Sequence, residues 1–381
     1  MLATTVRVAR DINLAEECTQ GAYAQALRTW PRNGIPARPG AWLTSVAGNR
    51  ARDVLRREAA FRRALPQLAT DDVVPEPDYV VDPDVIDDDR LRLVFTCCHP
   101  ALSRDAQVAL TLRLVCGLST ANVARAFLVQ ESTLAARITR AKKKIAAARI
   151  PYCVPPHDEL PERLSAVLDV VHLVFTTGHA APDGARLVRP DLVDSAIDLA
   201  RALHTLLPAE DGVTGLLALM LLIDARRATR VSGTGELVLL ADQDRERWDR
   251  QEIDEGLALL VDSLRRRPAD RFAVEAALAA VHAEAPTWQD TDWAQIVGLY
   301  DVLRRLWPSP VVELNRAVAI GMRDGPQAGL DALEPLLGVP TLGGYGYLSA
   351  ARADFLGQLG RWSETATPST PANRDVMSWP A

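Results

Sequence analysis

The sequence predicts an all-α protein, with two small helical domains followed by a long series of packed helices. Three observations carry this. Apolar residues recur at helical spacing, most clearly Leu134, Ile138, Ala141 and Ile145 at i, i+4, i+7 and i+11. No stretch alternates apolar and polar residues over a useful strand length. Helix start and stop signals punctuate the chain: Ser119 suits an N-cap, and PRNGIPARPG is a turn-rich break. At 381 residues and 48% hydrophobic, the chain is long enough for two or three domains with real cores.

Taken in order, Asp11 to Trp30 reads as a helix, and after the break Gly40 to Leu65 reads as a second. In the latter, Leu43, Val46, Ala47 and Val54 face one way. Asn49, Arg52 and Arg56 share another side, with Arg50 and Arg57 close by, making a candidate nucleic-acid surface. TDDVVPEPDYVVDPDVIDDD then has the composition of an acidic linker, assigned to residues 69–90. A helix around Leu91 to Cys98 follows.

Arg104 to Arg149 reads as a helix-turn-helix. Val123, Ala124 and Phe127 give the first of its two main helices a short buried face, and Leu128 to Gln130 form the turn. The second helix buries its apolar stripe and turns Ser132, Thr133, Ala136, Arg140 and Lys143 outward, with Arg137, Lys142, Lys144 and Arg149 alongside. Residues 137–149 hold six basic side chains and no acid, and Lys142, Lys143 and Lys144 are the only lysines in the chain. A cationic helix with a small-residue tip suits a DNA major groove. The plain alternative is an amphipathic pair whose Arg/Lys face is merely solvated.

The net charge of −6 conceals a segregation. Residues 1–150 carry 22 Arg/Lys against 16 Asp/Glu, and the remainder 21 against 33. Nine of the early acids lie between Asp71 and Asp89, so outside the linker the front is strongly cationic, a balance suited to a polyphosphate partner. No segment approaches a membrane span, and the N-terminus lacks a signal peptide's order, so a cytoplasmic protein without membrane contact is expected. Five cysteines, an odd number, argue against a disulfide framework.

These segments resemble the extracytoplasmic-function sigma factors of bacterial RNA polymerase. NLAEECTQGAYAQALRTW is similar to their polymerase-binding helix, PGAWLTSVAGNRARDVLRRE to the helix that melts and reads the −10 element, and ALTLRLVCGLSTANVARAFLVQESTLAARITRAKKKI to their −35-reading domain. The likeness covers roughly residues 10–149 and implies core RNA polymerase and promoter DNA as partners. By position it implies polymerase contacts at Glu17 and Gln20, and −10 contacts at Trp42, Asn49, Arg50, Arg56 and Arg57. It places −35 contacts at Thr133, Ala136, Arg137 and Arg140, with Lys143 suited to phosphate. The domains so implied are 1–68, the second sigma region, N-terminally short, with its leading helix missing or mis-started; 91–150, the fourth; and 151–381, a tetratricopeptide-like extension. Gly21 stands where the family usually has an acid, and Ala135 where several relatives have a base.

The extension reads as helical pairs on physical grounds. PSPVVELNRAVAIGMRDGPQAGLDALEPL offers two helices split near Asp324 to Pro326, and GYLSAARADFLGQLGRWSETA a further unit. Such stacks leave a groove for a protein or peptide ligand, or serve as a ligand-free bundle. Asp244, Arg247, Trp248 and Asp249 form a polar cluster, read as a helix start or a ligand groove. Cys97, Cys98 and His99 diverge on a helix and chelate poorly, and His172 and His179 with Asp169 read better as helix-face histidines than as ligands. No P-loop, HExxH or nucleophile elbow is present, so neither an enzyme nor a cofactor or metal is expected. A DNA-binding regulator acting without polymerase, and a repeat scaffold with a degenerate front, remain alternatives.

Overall fold

A computed structural model describes residues 1–64, 88–127, 129–156, 158–179, 189–233, 235–265, 269–342 and 346–361. All but the last three residues of the expected acidic linker lie outside these. Among the described residues there are sixteen α-helices and no strand, only an isolated bridge between Val231 and Leu237. The chain divides into two compact units, Met1–Leu173 and Val174–Ala381.

The first unit begins with α1 (Leu2–Ala9), α2 (Ile12–Asn33) and α3 (Pro39–Ala64). Asp11 caps α2, its carboxylate accepting from the Leu14 amide at 2.8 Å. The helix runs past Pro31 to Asn33, three residues beyond the expected end at Trp30, and Gly34 closes it at φ 78°. Small residues on facing helices, Ala22 and Ala26 against Ala47 with Leu43, let α2 and α3 approach closely. Gly21 belongs to the same contact: a Cβ there would lie 2.6 Å from Nε of Arg50, so the glycine that departs from the family pattern makes room for that guanidinium. Helix α1, which precedes the first helix the sequence predicts, buries Ala3, Thr5, Val6 and Ala9. Eight residues are too few for periodicity to declare themselves.

Helix α4 (Asp89–Cys97) leads to α5 (Arg104–Leu110), a π turn over Thr111–Val115, α6 (Thr120–Ala126), α7 (Glu131–Ala147) and the first part of α8 (Leu160–His179). Ser119 caps α6 as expected, accepting from the Asn122 amide at 3.1 Å. Long-range polar contacts join this part to α1 and α2. Glu16 pairs with Lys142 and with Arg113 at 3.6 Å, and Arg7 meets Asp89 at 3.2 Å. The Tyr152 hydroxyl stands 2.7 Å from the Ala3 carbonyl and 2.8 Å from that of Asp89. The start of α8 is fastened too: Arg163 donates to the Phe95 carbonyl at 2.9 Å and Arg104 meets Asp169 at 3.3 Å.

The second unit is a helix stack in which each element packs chiefly on its chain neighbours. Helix α10 (Asp211–Asp224) buries every residue from Val213 to Asp224, which makes it the axis against which α9 (Pro190–Leu206), α11 (Arg250–Arg265) and α12 (Arg271–Glu284) pack. The series continues through α13 (Trp293–Leu306), α14 (Pro310–Asp324), α15 (Pro326–Leu333) and α16 (Gly346–Gln358). The split between α14 and α15 falls where the sequence places it. Phe355 of α16 is clamped there by Gly321 and Gly329, where an added Cβ would come within 2.2 and 2.4 Å of the ring.

Two buried histidines give this unit an acid-sensitive core. Burial lowers His179 to about 4, against the opposing hydrogen bond to Asp224, and it stands 3.0 Å from that carboxylate. Burial, with Arg226 and Arg245 nearby, lowers His282 to about 3. Both values lie below the ordinary histidine value of about 6.5, so the unfolded chain binds protons that the folded one refuses. Stability is therefore full above about pH 6.5 and falls as the pH drops toward 4, with a limiting slope of about 2.7 kcal/mol per unit if both contribute fully. Urea unfolding at a series of pH values between 7.5 and 4.5 checks this: His282→Gln should flatten the profile, and a wild-type profile already flat would contradict the assignment.

Candidate nucleic-acid interface

Helix α7 has two distinct sides. Leu134 is fully buried, and Ile138, Ala141 and Ile145 lie below 9% exposure, so the predicted apolar stripe seals the helix onto the unit. Thr133, Ala136, Arg140 and Lys143 are all exposed and follow one another at i, i+3, i+7 and i+10 on the opposite side. Arg140 lies along its own helix, Nε donating to the Ala136 carbonyl at 3.3 Å. The stripe is small at its N-terminal end and cationic at its C-terminal end.

Two cations expected at or beside this face are otherwise engaged. Arg137 is three-quarters buried, 3.1 Å from Asp105, with its guanidinium 5.6 Å from the Phe127 ring centre. It ties α7 to α5 and to the turn, and sits at the edge of the exposed stripe. Lys142, only 12% exposed, faces Glu16 of α2. The sequence reading missed Glu16, whose partner stands 126 positions away. Its signal was its register: Ile12, Ala15 and Thr19 around it are buried, so an acid at position 16 looks inward and needs a cation.

The candidate residues of α3 divide similarly. Asn49, Arg50, Arg56 and Arg57 are exposed. Asn49 accepts from Arg52 at 2.7 Å and Arg56 stands 3.6 Å from Asp53, both pairs within the helix and in solvent. Trp42 is half-buried, its ring 5.5 Å from that of Trp30, so much of the face expected to stack on bases is occupied within the protein. Phe61, 68% exposed in the run FRR, is the open aromatic of α3, and the sequence reading passed over it because it lies beyond the quoted likeness.

Helix α2 presents a different surface. Glu17 and Gln20 are exposed one turn apart, and the same stripe continues to Leu27, 79% exposed, with Tyr23 beside it at 46%. A stripe mixing an acid, an amide and bare apolar groups suits a protein surface better than phosphate. Cys97 and Cys98 are buried, the latter 3.5 Å from the Thr111 hydroxyl, and His99 accepts from the Ala101 amide at 3.1 Å. His179 turns to Asp224 and Asp169 to Arg104, so the imagined His/Asp set does not assemble. Among the described residues no group of three metal-ligating side chains converges.

Comparison with known proteins finds three families along the chain. Residues 2–61 match the family described as Sigma-70 region 2, residues 92–145 that described as Sigma-70, region 4, and residues 163–264 a family of unknown function, DUF6596. An "Uncharacterized protein" of Rhizobium meliloti (strain 1021) is 43% identical over 371 residues, covering 96% of this chain and 87% of its own. The ECF RNA polymerase sigma factor SigK of Mycobacterium sp. (strain KMS) is 32% identical over 136 residues, 35% of this chain and 68% of its own. SigK of Mycobacterium bovis (strain BCG / Pasteur 1173P2) is 29% identical over 141 residues, 37% of this chain and 74% of its own. No solved structure matches. No helix among the described residues is long and apolar enough to cross a membrane.

The two neighbouring lysines provide a test. Lys143→Ala should leave the melting temperature within about 1 °C of wild type, a surface change, and reduce by about one unit the slope of log affinity against log salt for duplex DNA. Lys142→Ala should lower the melting temperature by several degrees, since it leaves Glu16 short of a partner, with a smaller change in slope. The reverse assignment of effects in thermal melts and salt titrations would refute this division of the helix.

Proposed function

Because this chain belongs to the extracytoplasmic-function RNA polymerase sigma factors, we propose that it recognises −10 and −35 promoter elements through α3 and α7 and docks core polymerase through α2. The observation that carries the reading is the exposed Thr133, Ala136, Arg140, Lys143 stripe on a helix whose other side is sealed. In this reading Arg140 reaches a base edge in the major groove, where a bidentate arginine–guanine pair discriminates by about 1 to 3 kcal/mol. Thr133 and Ala136 line the helix tip, Arg137 holds the helix at its edge and Lys143 takes a phosphate. Asn49, Arg50, Arg56 and Arg57 hold the separated strand at −10, with Trp42 contributing its free edge. Glu17 and Gln20, flanked by Tyr23 and Leu27, meet the polymerase.

The reading requires movement. Elements about 25 base pairs apart lie about 85 Å from each other at 3.4 Å per pair. A compact body of the first unit's size is only about 40 Å across. Engaging both elements at once therefore separates α1–α3 from α4–α7 and breaks the Glu16 contacts.

The extension is read as the regulatory part, a tetratricopeptide-like stack offering a surface to a protein or peptide ligand. Bracing of the DNA-binding half is favoured over autoinhibition, because Arg163 and Asp169 of α8 fasten directly to α4 and α5.

Run-off transcription with purified core enzyme, on promoters selected by sequencing, tests the assignment. Arg140→Ala should lower −35 affinity about 5- to 100-fold and relax selection there. Trp42→Ala with Arg56→Ala should spare duplex recruitment yet remove permanganate-reactive open complex. Initiation unchanged in both variants would overturn the site assignment. Deleting residues 151–381 should give a fragment of lower melting temperature and little activity; a stable fragment of full or raised activity would overturn bracing.

A further inference from the structure

The second unit holds a partly open cavity of about 120 Å³ between α10, α12, α13 and α14. Its walls are apolar and aromatic: Leu219, Leu278 and Ile296 at its sides, with Trp248 and Trp307 bounding it. Trp248 is rigidly held, its indole N–H donating to the Thr229 hydroxyl at 3.0 Å and the Arg245 guanidinium stacked 4.7 Å from its ring centre. A cavity of about 150 Å³ with such a lining accommodates a benzene-sized molecule.

A cationic side chain, Arg226, and an acidic one, Glu275, both line this apolar space. Arg226 lies two residues past the end of α10, and its Nε is buried without a hydrogen-bond partner. The groups that act on it electrostatically are Arg230, Arg245 and the Tyr347 phenol, with no carboxylate among them. Its neighbour Arg227 takes the local acids, binding Asp224 through Nε at 2.6 Å and Asp194 at 2.7 Å. Burial and the two other arginines lower Arg226 to about 9, which leaves it cationic at neutral pH. His282, also on the wall, is held neutral and adds no compensating charge. The partly buried Arg226 side chain, its Nε withdrawn from solvent, stands near two other arginines with no carboxylate acting on it, so an anion that fills the place gains a charge-assisted pairing. A separate polar group, Glu275, Tyr300 and Asn315, lies on the same lining, with the Tyr300 hydroxyl hydrogen-bonded to Asn315.

We propose that this cavity is a binding site for a small, ring-sized organic carboxylate, its carboxylate paired with Arg226 and its apolar body held between Trp248 and Trp307. Volume sets the size of the body, the aromatic walls its character and the unpaired guanidinium its charge. The polar group at Tyr300 and Asn315 favours a hydrogen-bonding substituent on the ligand. The site is independent of promoter recognition, and its test needs neither polymerase nor DNA.

The experiment is a fluorine NMR titration of the full-length protein with 4-fluorophenylacetate and, separately, with the neutral 4-fluorobenzyl alcohol. The carboxylate should bind saturably and at least ten-fold tighter than the alcohol. Arg226→Gln should abolish that preference by weakening the carboxylate at least ten-fold while leaving the alcohol unchanged. Ala279→Leu, which fills the cavity and keeps Arg226, should weaken both. Absence of saturable carboxylate binding, equal affinity for the two probes, or full carboxylate affinity in either variant would overturn the proposal. Should Arg226→Gln fail to fold by thermal melt, Ala279→Leu decides alone: retained carboxylate binding overturns the site and lost binding supports it.

Discussion

The first unit depends on one half-buried carboxylate. Glu16 faces Lys142 and Arg113, and these contacts, with Arg7 to Asp89 and Tyr152 to two carbonyls, hold α1–α3 against α4–α7. At 19% and 12% side-chain exposure, Glu16 and Lys142 have lost most of their water, so the pair is worth more than an exposed bridge and costs more to break. The link between α2 and α7 formed here is an ion pair.

The same joint sorts the cations of α7. With Lys142 spent on Glu16 and Arg137 on Asp105, the exposed stripe keeps Arg140 and Lys143. The exposed stripe therefore stays open while the Glu16 contacts are made.

Much of this was legible in the sequence, and what was not has a physical reason. The buried stripe of α7, the cap at Ser119 and the α14–α15 break follow from local rules, where neighbours three or four positions away decide the outcome. The fates of Lys142 and Trp42 were hidden because their partners lie far off in sequence or across a helix pair: Glu16 in one case, Trp30 in the other. Gly21, where the family usually has an acid, has its reason in Arg50, which lies across it from the facing helix. In DQDRERWD the helix-start reading holds, Asp249 capping α11 by accepting from the Gln251 amide at 2.9 Å, and Trp248 lines the cavity. Arg226 carried no local signal, because ARRATR resembles any basic turn and only tertiary packing buries its first arginine.

The restriction of lysine to three adjacent positions has a chemical consequence. Apart from the terminal amine, an amine-directed reagent or an acylating modification finds targets only on α7. Lys143 and Lys144 are open to it, whereas Lys142 is shielded by Glu16. Acylation of the open pair strips charge from the end of the exposed stripe without touching the fold. Acylation of Lys142 requires the joint to be parted first and then prevents its re-forming, so the three neighbours record, in one short peptide, whether the molecule was closed or open when the reagent arrived.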